Sequence, residues 1–112
     1  MRPIPAKLRK QIDADPYYRR CARLNGDCNG RITIEHAFIY SGRQINEMWA
    51  LIPLCWYHHL GKGLDKRLNE YLAITRASPE DLAKYPKKDW NQLRAYLTGL
   101  YGLSTPQPHK IQ

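Results

Sequence analysis

Two pairs of residues in this sequence have the types and the spacing of a zinc site. Cys21 and Cys28 flank a stretch of turn-forming residues, and Cys55 and His58 follow with C-x2-H spacing. Thiolates and imidazoles in two such pairs can close one tetrahedral zinc site, and the ion then contributes directly to folding. The first spacing is wider than is usual. The alternative is three buried free cysteines that act as small hydrophobes, with His58 at the surface.

A second set of polar residues is predicted to lie beside this zinc site. His59 directly follows His58, and adjacent side chains on a helix point about 100° apart, so the two imidazoles can serve different sites. Glu35 and His36 end a predicted strand, which a strand–loop–strand–helix unit would bring beside the helix start. The alternative is that Glu35 and His36 are a polar pair that caps a strand.

Together these residues fit metal-assisted hydrolysis of a phosphodiester. A carboxylate and an imidazole can hold a divalent cation, which polarises the phosphate and stabilises the leaving oxygen. A histidine that is not bound to metal can activate water near neutral pH. The sequence therefore predicts a catalytic site formed by Glu35, His36 and His59.

Composition and charge favour a soluble protein with a polyanionic partner. The 112 residues, of which 43% are hydrophobic and 25% charged, fit one globular domain over residues 1–112. The formal net charge of +8 favours nucleic acid before membrane, with ordinary solubility charge as the alternative. Because no signal peptide or membrane-spanning apolar run is present, we expect an intracellular protein.

Periodicity and capping signals predict the elements that position these residues. A basic helix over residues 6–13 precedes a β-branched strand over residues 31–36, a loop over 41–44 and an apolar strand over 49–54. A helix begins near Cys55, is interrupted near residues 61–63 and runs to about residue 76. Its predicted apolar face contains Leu64, Leu68, Tyr71, Leu72 and Thr75.

Two further helices are predicted after this core, which covers about residues 17–76. Ser78 and Pro79 have the pattern of an N-cap and first helical residue, and residues 89–101 form the last amphipathic helix. Residues 78–102 are thus a helical C-terminal extension, and residues 103–112 are a loose tail.

The residues from Glu35 to His59 carry a family resemblance. Glu35-His36, followed by an apolar strand and Leu54-Cys55-Trp56-Tyr57-His58-His59, resembles the HNH nucleases of the ββα-metal fold. Residues 35–59 are similar to small HNH proteins encoded by phages and prophages. The Cys-Trp-Tyr-His-His run is similar to recombination-enhancing phage HNH nucleases. The resemblance covers about residues 21–59.

The resemblance implies an α+β fold, with a zinc-stabilised ββα-metal (HNH) core, a short β-hairpin and additional C-terminal helices. It implies that His36 is the general base, and that Glu35 and His59 hold a catalytic Mg²⁺ or another divalent cation. The structural Zn²⁺ ligands would be Cys21, Cys28, Cys55 and His58.

The function that the resemblance implies is that of a DNA endonuclease. It would hydrolyse phosphodiester bonds, nicking one strand per subunit, in phage or prophage DNA processing or recombination in the cytoplasm of a bacterial host cell. Whether it acts as a monomer or a homodimer stays open. The alternatives are a zinc-stabilised DNA-binding module without catalysis, and an RNA-binding or protein-interaction module.

Three positions depart from the family pattern. The family asparagine that braces the loop would fall on Ala50, and Asn46 is the nearest candidate for that role. A further helical metal ligand, found in some members, would fall on Gly63. Because that ligand is absent, we expect the metal to keep more water ligands and to bind weakly. Glu35 stands where Asp or His is more common, and its longer carboxylate could still reach a metal with a changed geometry.

Basic residues that flank the motif are candidate phosphate contacts. Such contacts position the nucleic-acid backbone and carry little sequence information. Arg43 and Gln44 in the motif loop are the favoured candidates. The others are Arg19, Arg20, Arg23, Arg31, Lys62, Lys66 and Arg67, and the alternative for each is a solvated basic surface.

Overall fold

The computed structural model describes residues 4–23 and 26–102. Within these ranges the chain has an α+β fold with five α-helices and two small antiparallel sheets, so the predicted fold class is confirmed at this level. The predicted loose tail over residues 103–112 lies outside the described residues. No helix in the described ranges is long and apolar enough to cross a membrane.

The central sheet pairs the two strands that carry most of the polar candidates. Strand β1 (Ile32–His36) runs antiparallel to a later strand, Leu51–Cys55, with Ile32 opposite Cys55 and His36 opposite Leu51. The later strand is buried at every position, as its apolar sequence predicts. It begins two residues later than predicted, because Met48–Ala50 form a 3₁₀ turn before it.

A β-hairpin lies between these two strands. Strands β2 (Ile39–Tyr40) and β3 (Arg43–Gln44) pair antiparallel, so the prediction of a loop at residues 41–44 is wrong for Arg43 and Gln44. The connecting Ser41 and Gly42 both have positive φ, 51° and 80°. Two-residue hairpin turns of this hand match the twist of the strands. In chain order, Leu51–Cys55 is therefore β4.

The first helix packs against the central sheet through a small apolar cluster. Helix α1 (Ala6–Ala14) matches the predicted basic helix and buries Ile12 in a small cluster with Tyr18 and Leu51. Asp15 ends the helix and caps the following 3₁₀ turn, Pro16–Arg19, by accepting the Tyr17 N–H at 3.0 Å.

The helix that follows β4 is interrupted, as predicted. Helix α2 (Trp56–His59) is one turn long, and α3 (Lys66–Ile74) starts after the glycines and ends two residues before the predicted limit. The buried face of α3 differs from the prediction. Leu64 precedes the helix and is 40% exposed, and Thr75 is also exposed. The buried residues of α3 are Asn69, Tyr71, Ala73 and Ile74.

Helices α4 (Pro79–Ala83) and α5 (Trp90–Leu97) complete the main core. Ser78 and Asp81 form a reciprocal capping box at the start of α4, which confirms the predicted N-cap. Helix α5 buries Trp90 and Leu97, and a five-residue π-helical turn, Thr98–Gly102, follows it. Edge contacts of Trp90 with Phe38 and Trp49 join α5 to the segments on either side of the hairpin.

Candidate functional site

Four of the predicted ligands converge on one point. The Sγ atoms of Cys21, Cys28 and Cys55 lie 3.4, 3.7 and 3.2 Å from Nδ1 of His58. All four ligand atoms lie within 4.8 Å of one another. A zinc ion with tetrahedral bonds of ordinary length places sulfur and nitrogen ligands about 3.5 Å apart. This Cys₃His cluster could therefore hold a metal ion such as zinc, and His58 is buried rather than at the surface.

Backbone contacts bring these ligands together from three parts of the chain. The Ala22 N–H donates to the carbonyl of Pro53 at 2.7 Å, which ties the segment after Cys21 to β4. The Tyr57 N–H donates to the carbonyl of Asn29 at 3.0 Å, which ties the segment after Cys28 to α2. Gly30 has φ of 89°, and a Cβ there would lie 2.7 Å from the Cβ of Trp56, so the close approach of this segment requires glycine.

A second layer of contacts orients the cluster. Nε2 of His58 lies 2.8 Å from Oδ1 of Asp27, which leaves Nδ1 facing the three sulfurs. Metal-binding histidines commonly have such a carboxylate partner, which fixes the ring orientation. Asp27 was not among the predicted site residues, and its position next to Cys28 was the one signal that the sequence carried.

The local environment shifts the pKa values of Cys55 and Cys28 in opposite directions. Burial opposes ionisation of Cys55, but the N–H groups of His58 and Asn29 donate to its sulfur and lower its pKa to about 6. The loss of water around the sulfur of Cys28 raises its pKa to about 11, and the thiols of Cys21 and Cys55 add to the shift. Three adjacent sulfurs thus repel one another as thiolates, and a divalent cation would relieve that repulsion.

The predicted catalytic carboxylate and helical histidine are in contact. Oε1 of Glu35, on β1, lies 3.0 Å from Nε2 of His59, on α2. The other carboxylate oxygen lies 3.8 Å from Nζ of Lys66, at the start of α3. Glu35 is 8% exposed and is one of the few buried charged residues in the described ranges. Three elements thus meet around one carboxylate, whose burial favours a bound positive charge.

Thr33 determines which nitrogen of His59 faces Glu35. Its hydroxyl donates to the carbonyl of Leu54 at 2.9 Å, and its Oγ1 also lies 2.6 Å from Nδ1 of His59. Because the single hydroxyl hydrogen is used on Leu54, Nδ1 carries a hydrogen and donates to Thr33. Nε2 is then the ring nitrogen that faces Glu35. Thr33 carried no signal in the sequence beyond its β-branched type.

His36 does not contact this group but hydrogen bonds Asn46. Nε2 of His36 lies 2.8 Å from Oδ1 of Asn46. Consecutive residues of a strand point to opposite faces, so Glu35 and His36 cannot both face α2. The structure therefore places the predicted catalytic residues on two sides of the end of β1. The candidate brace Asn46 does contact His36, in its shifted position.

Two departures from the family pattern have a physical reason. Ala50 is fully buried, and its carbonyl accepts the Ala37 N–H at 2.9 Å, so an amide side chain at this position would be buried in the core. At Gly63, a Cβ would lie 2.5 Å from the Tyr57 ring and 2.8 Å from the His58 ring. A metal ligand at position 63 is therefore sterically excluded in this fold.

Most of the predicted phosphate contacts are exposed. Arg23 differs, because it is half-buried and its Nη1 donates to the carbonyl of Gly63 at 2.9 Å, which joins the Cys21 segment to the turn after α2. Gln44 is half-buried, and the exposed members of the set are Arg19, Arg20, Arg31, Arg43, Lys66 and Arg67, with Lys62 also exposed in the turn after α2.

Comparisons of the chain with protein-family models, curated proteins and solved structures find no match.

Proposed function

We propose that this protein is an HNH-type endonuclease that hydrolyses phosphodiester bonds of DNA with a bound divalent cation. The observation that carries the proposal is the 3.0 Å approach of Oε1 of Glu35 to Nε2 of His59. Two adjacent ligands in an octahedral shell at magnesium-like distances lie about 3.0 Å apart. Oxygen and imidazole ligands suit Mg²⁺, Mn²⁺ and Ni²⁺, so the residues fit the expected ion.

The order of the surrounding elements supports a ββα-metal fold. Two antiparallel strands, β1 and β4, are followed directly by the short helix α2 that carries His58 and His59. A zinc ion in the Cys₃His cluster would fix the start of α2 against the segment that leads into β1. His59, one residue later, would then be held at a constant distance from Glu35.

Residues on both sides of the end of β1 would take part in the proposed reaction. The cation, when bound, would polarise the phosphate and stabilise the leaving oxygen. Glu35 and His59 would hold it, and Thr33 keeps the lone pair of Nε2 available. The amide oxygen of Asn46 can only accept, so Nε2 of His36 carries the hydrogen and Nδ1 is the nitrogen free to take a proton from water.

A zinc-stabilised DNA-binding module without catalysis is the second candidate. The ion pair of Lys66 with Glu35 at 3.8 Å favours it, because an ammonium group can neutralise the buried carboxylate without a metal ion. The exclusion of a ligand at Gly63 favours it as well, since fewer protein ligands mean weaker metal binding. Both candidates keep DNA as the partner, in agreement with the net charge of +8.

Nicking of a supercoiled plasmid separates the two candidates. Wild-type protein and the His36→Ala variant are incubated with Mg²⁺, Mn²⁺ or Ni²⁺, and we expect the variant to lose most of the wild-type nicking. His109→Ala serves as the matched control, since it removes the same side chain outside the described residues. Wild-type protein that binds DNA but cuts with none of these ions would favour the module. Equal cutting by His36→Ala would exclude His36 as the base.

A further inference from the structure

A groove of about 470 Å³ lies between α1, the turn Pro16–Arg19 and the start of β1. Its lining includes the apolar side chains of Ile12 and Ile34. Arg9, Arg19 and Arg31 line it from three different elements or segments. The groove is therefore basic and separate from the Cys₃His cluster and from the Glu35–His59 pair.

The guanidinium groups of these three arginines have no partner in the part of the chain that the structure describes. All three residues are exposed, and none of their side chains takes part in a hydrogen bond or ion pair with residues 4–23 or 26–102. Among the described residues, Asp13 is the single carboxylate that lines the groove. Other arginines are used internally, as Arg23 is on Gly63. Guanidinium groups without partners match the geometry of phosphate oxygens.

The groove leads along β1 towards the candidate active site. One edge of β1 pairs with β4, and no second strand pairs with β1 in the described ranges, so residues 31–34 border the groove. Thr33 lines the groove and also contacts His59. Glu35 lies two residues further on, or about 7 Å along the strand. A chain of phosphates in the groove would therefore continue along the free edge of β1 towards its end, where Glu35 and His36 lie on the two sides of the strand.

We propose that this groove binds the sugar–phosphate backbone of DNA through Arg9, Arg19 and Arg31, beside the position that is cut. The inference rests on the proposed function for the identity of its ligand. It adds a binding surface, formed largely by α1 and its following turn, that lies outside the residues from Glu35 to His59.

The test measures binding of a fluorescent DNA duplex over a series of salt concentrations. The triple variant Arg9→Gln, Arg19→Gln, Arg31→Gln is made in a His36→Ala background to prevent cutting. We expect binding at least about tenfold weaker at low salt, with the slope of log affinity against log salt reduced by about two to three. The three single variants test the same contacts if the triple variant folds poorly, and each should reduce the slope by about one.

The matched control removes three exposed positive charges elsewhere: Lys84→Gln, Lys87→Gln, Lys88→Gln. Equal affinity and slope in the groove variant and this control would overturn the groove proposal, even if wild-type protein nicks plasmid. Wild-type protein that binds DNA through the groove but does not nick it would overturn the nuclease proposal and leave the groove in place. Absence of any DNA binding would overturn both.

Discussion

Thr33 links the carbonyl of Leu54 to the ring of His59, with its Oγ1 2.9 Å from the carbonyl oxygen and 2.6 Å from Nδ1. The contact joins the two paired strands to α2 at the residue that faces Glu35. It fixes both the orientation and the tautomer of His59. Residues that hydrogen bond to a metal ligand orient that ligand and contribute to the affinity for the metal.

The first prediction is that Thr33→Val weakens binding of the catalytic cation. Valine keeps the shape of threonine but removes the acceptor for Nδ1, so the ring can turn and the tautomer is no longer fixed. We expect the affinity for Mn²⁺, measured by isothermal titration calorimetry, to fall about 10- to 100-fold. Thr33→Ser keeps the hydroxyl and should bind within about threefold of wild type. Equal loss in both variants would mean that packing, rather than the hydrogen bond, positions His59.

Local sequence patterns correctly predicted those features of the fold and the site that depend on residues close together in the chain. The spacing of Cys55 and His58 places one ligand at the end of β4 and the other on the helical turn that follows, and the Ser78-Pro79 signal placed the start of α4. The Cys₃His cluster was predictable because thiols and imidazoles have few other reasons to occur in two such pairs. Glu35 and His59 were also brought together as expected.

Contacts that depend on packing could not be read from the sequence. Asp27 and Thr33 acquire their partners only when distant segments meet, and neither residue type signals that in advance. The expected convergence of His36 with Glu35 overlooked the alternation of side chains along β1. The loop predicted over residues 41–44 is correct for Ser41 and Gly42, which form the turn, but the pairing of Arg43 and Gln44 with β2 was not predicted.

The second prediction concerns the structural metal. We expect purified protein to contain about one zinc ion per chain by elemental analysis, and Cys55→Ser to lose it together with cooperative thermal unfolding. Asp27→Asn should keep the four ligands but bind zinc about 10- to 100-fold more weakly, because His58 loses its charged partner. Competition with a chromogenic chelator measures that affinity. Full cooperative folding of zinc-free protein would contradict a structural role for the ion.

The third prediction is that Gly63→Ala destabilises the protein through the Cys₃His cluster. The added methyl group would lie 2.5 Å from the Tyr57 ring and 2.8 Å from the His58 ring, and His58 cannot shift without moving a ligand atom. We expect a loss of about 1–3 kcal/mol in the free energy of unfolding. Gly99→Ala is the matched control, since among the described residues no other side chain lies within 4 Å of the position that its methyl group would take. Thermal melts of both variants measure the difference in stability. Equal melting temperatures for the two variants would show that the Tyr57 ring can move aside freely.

The fourth prediction concerns Arg76, which follows α3 and joins it to the start of β4. Its Nη1 lies 3.0 Å from the hydroxyl oxygen of Tyr18, 3.1 Å from the carbonyl of Met48 and 3.0 Å from that of Leu51. Arg76→Met keeps the apolar stem but removes one donor from each of these part-buried oxygens. We expect the free energy of unfolding to fall by about 2–4 kcal/mol.

Urea unfolding of Arg76→Met and Arg76→Lys tests whether the planar guanidinium is required. Lysine restores the charge but not the flat group that reaches several acceptors while stacking on the ring of Tyr17, whose centroid lies 3.9 Å away. We therefore expect Arg76→Lys to recover less than half of the loss. Arg67→Lys is the matched control, because its ion pair with Glu70 is exposed and should change stability by less than about 0.5 kcal/mol. An Arg76→Lys variant as stable as wild type would mean that charge alone holds α3 against β4.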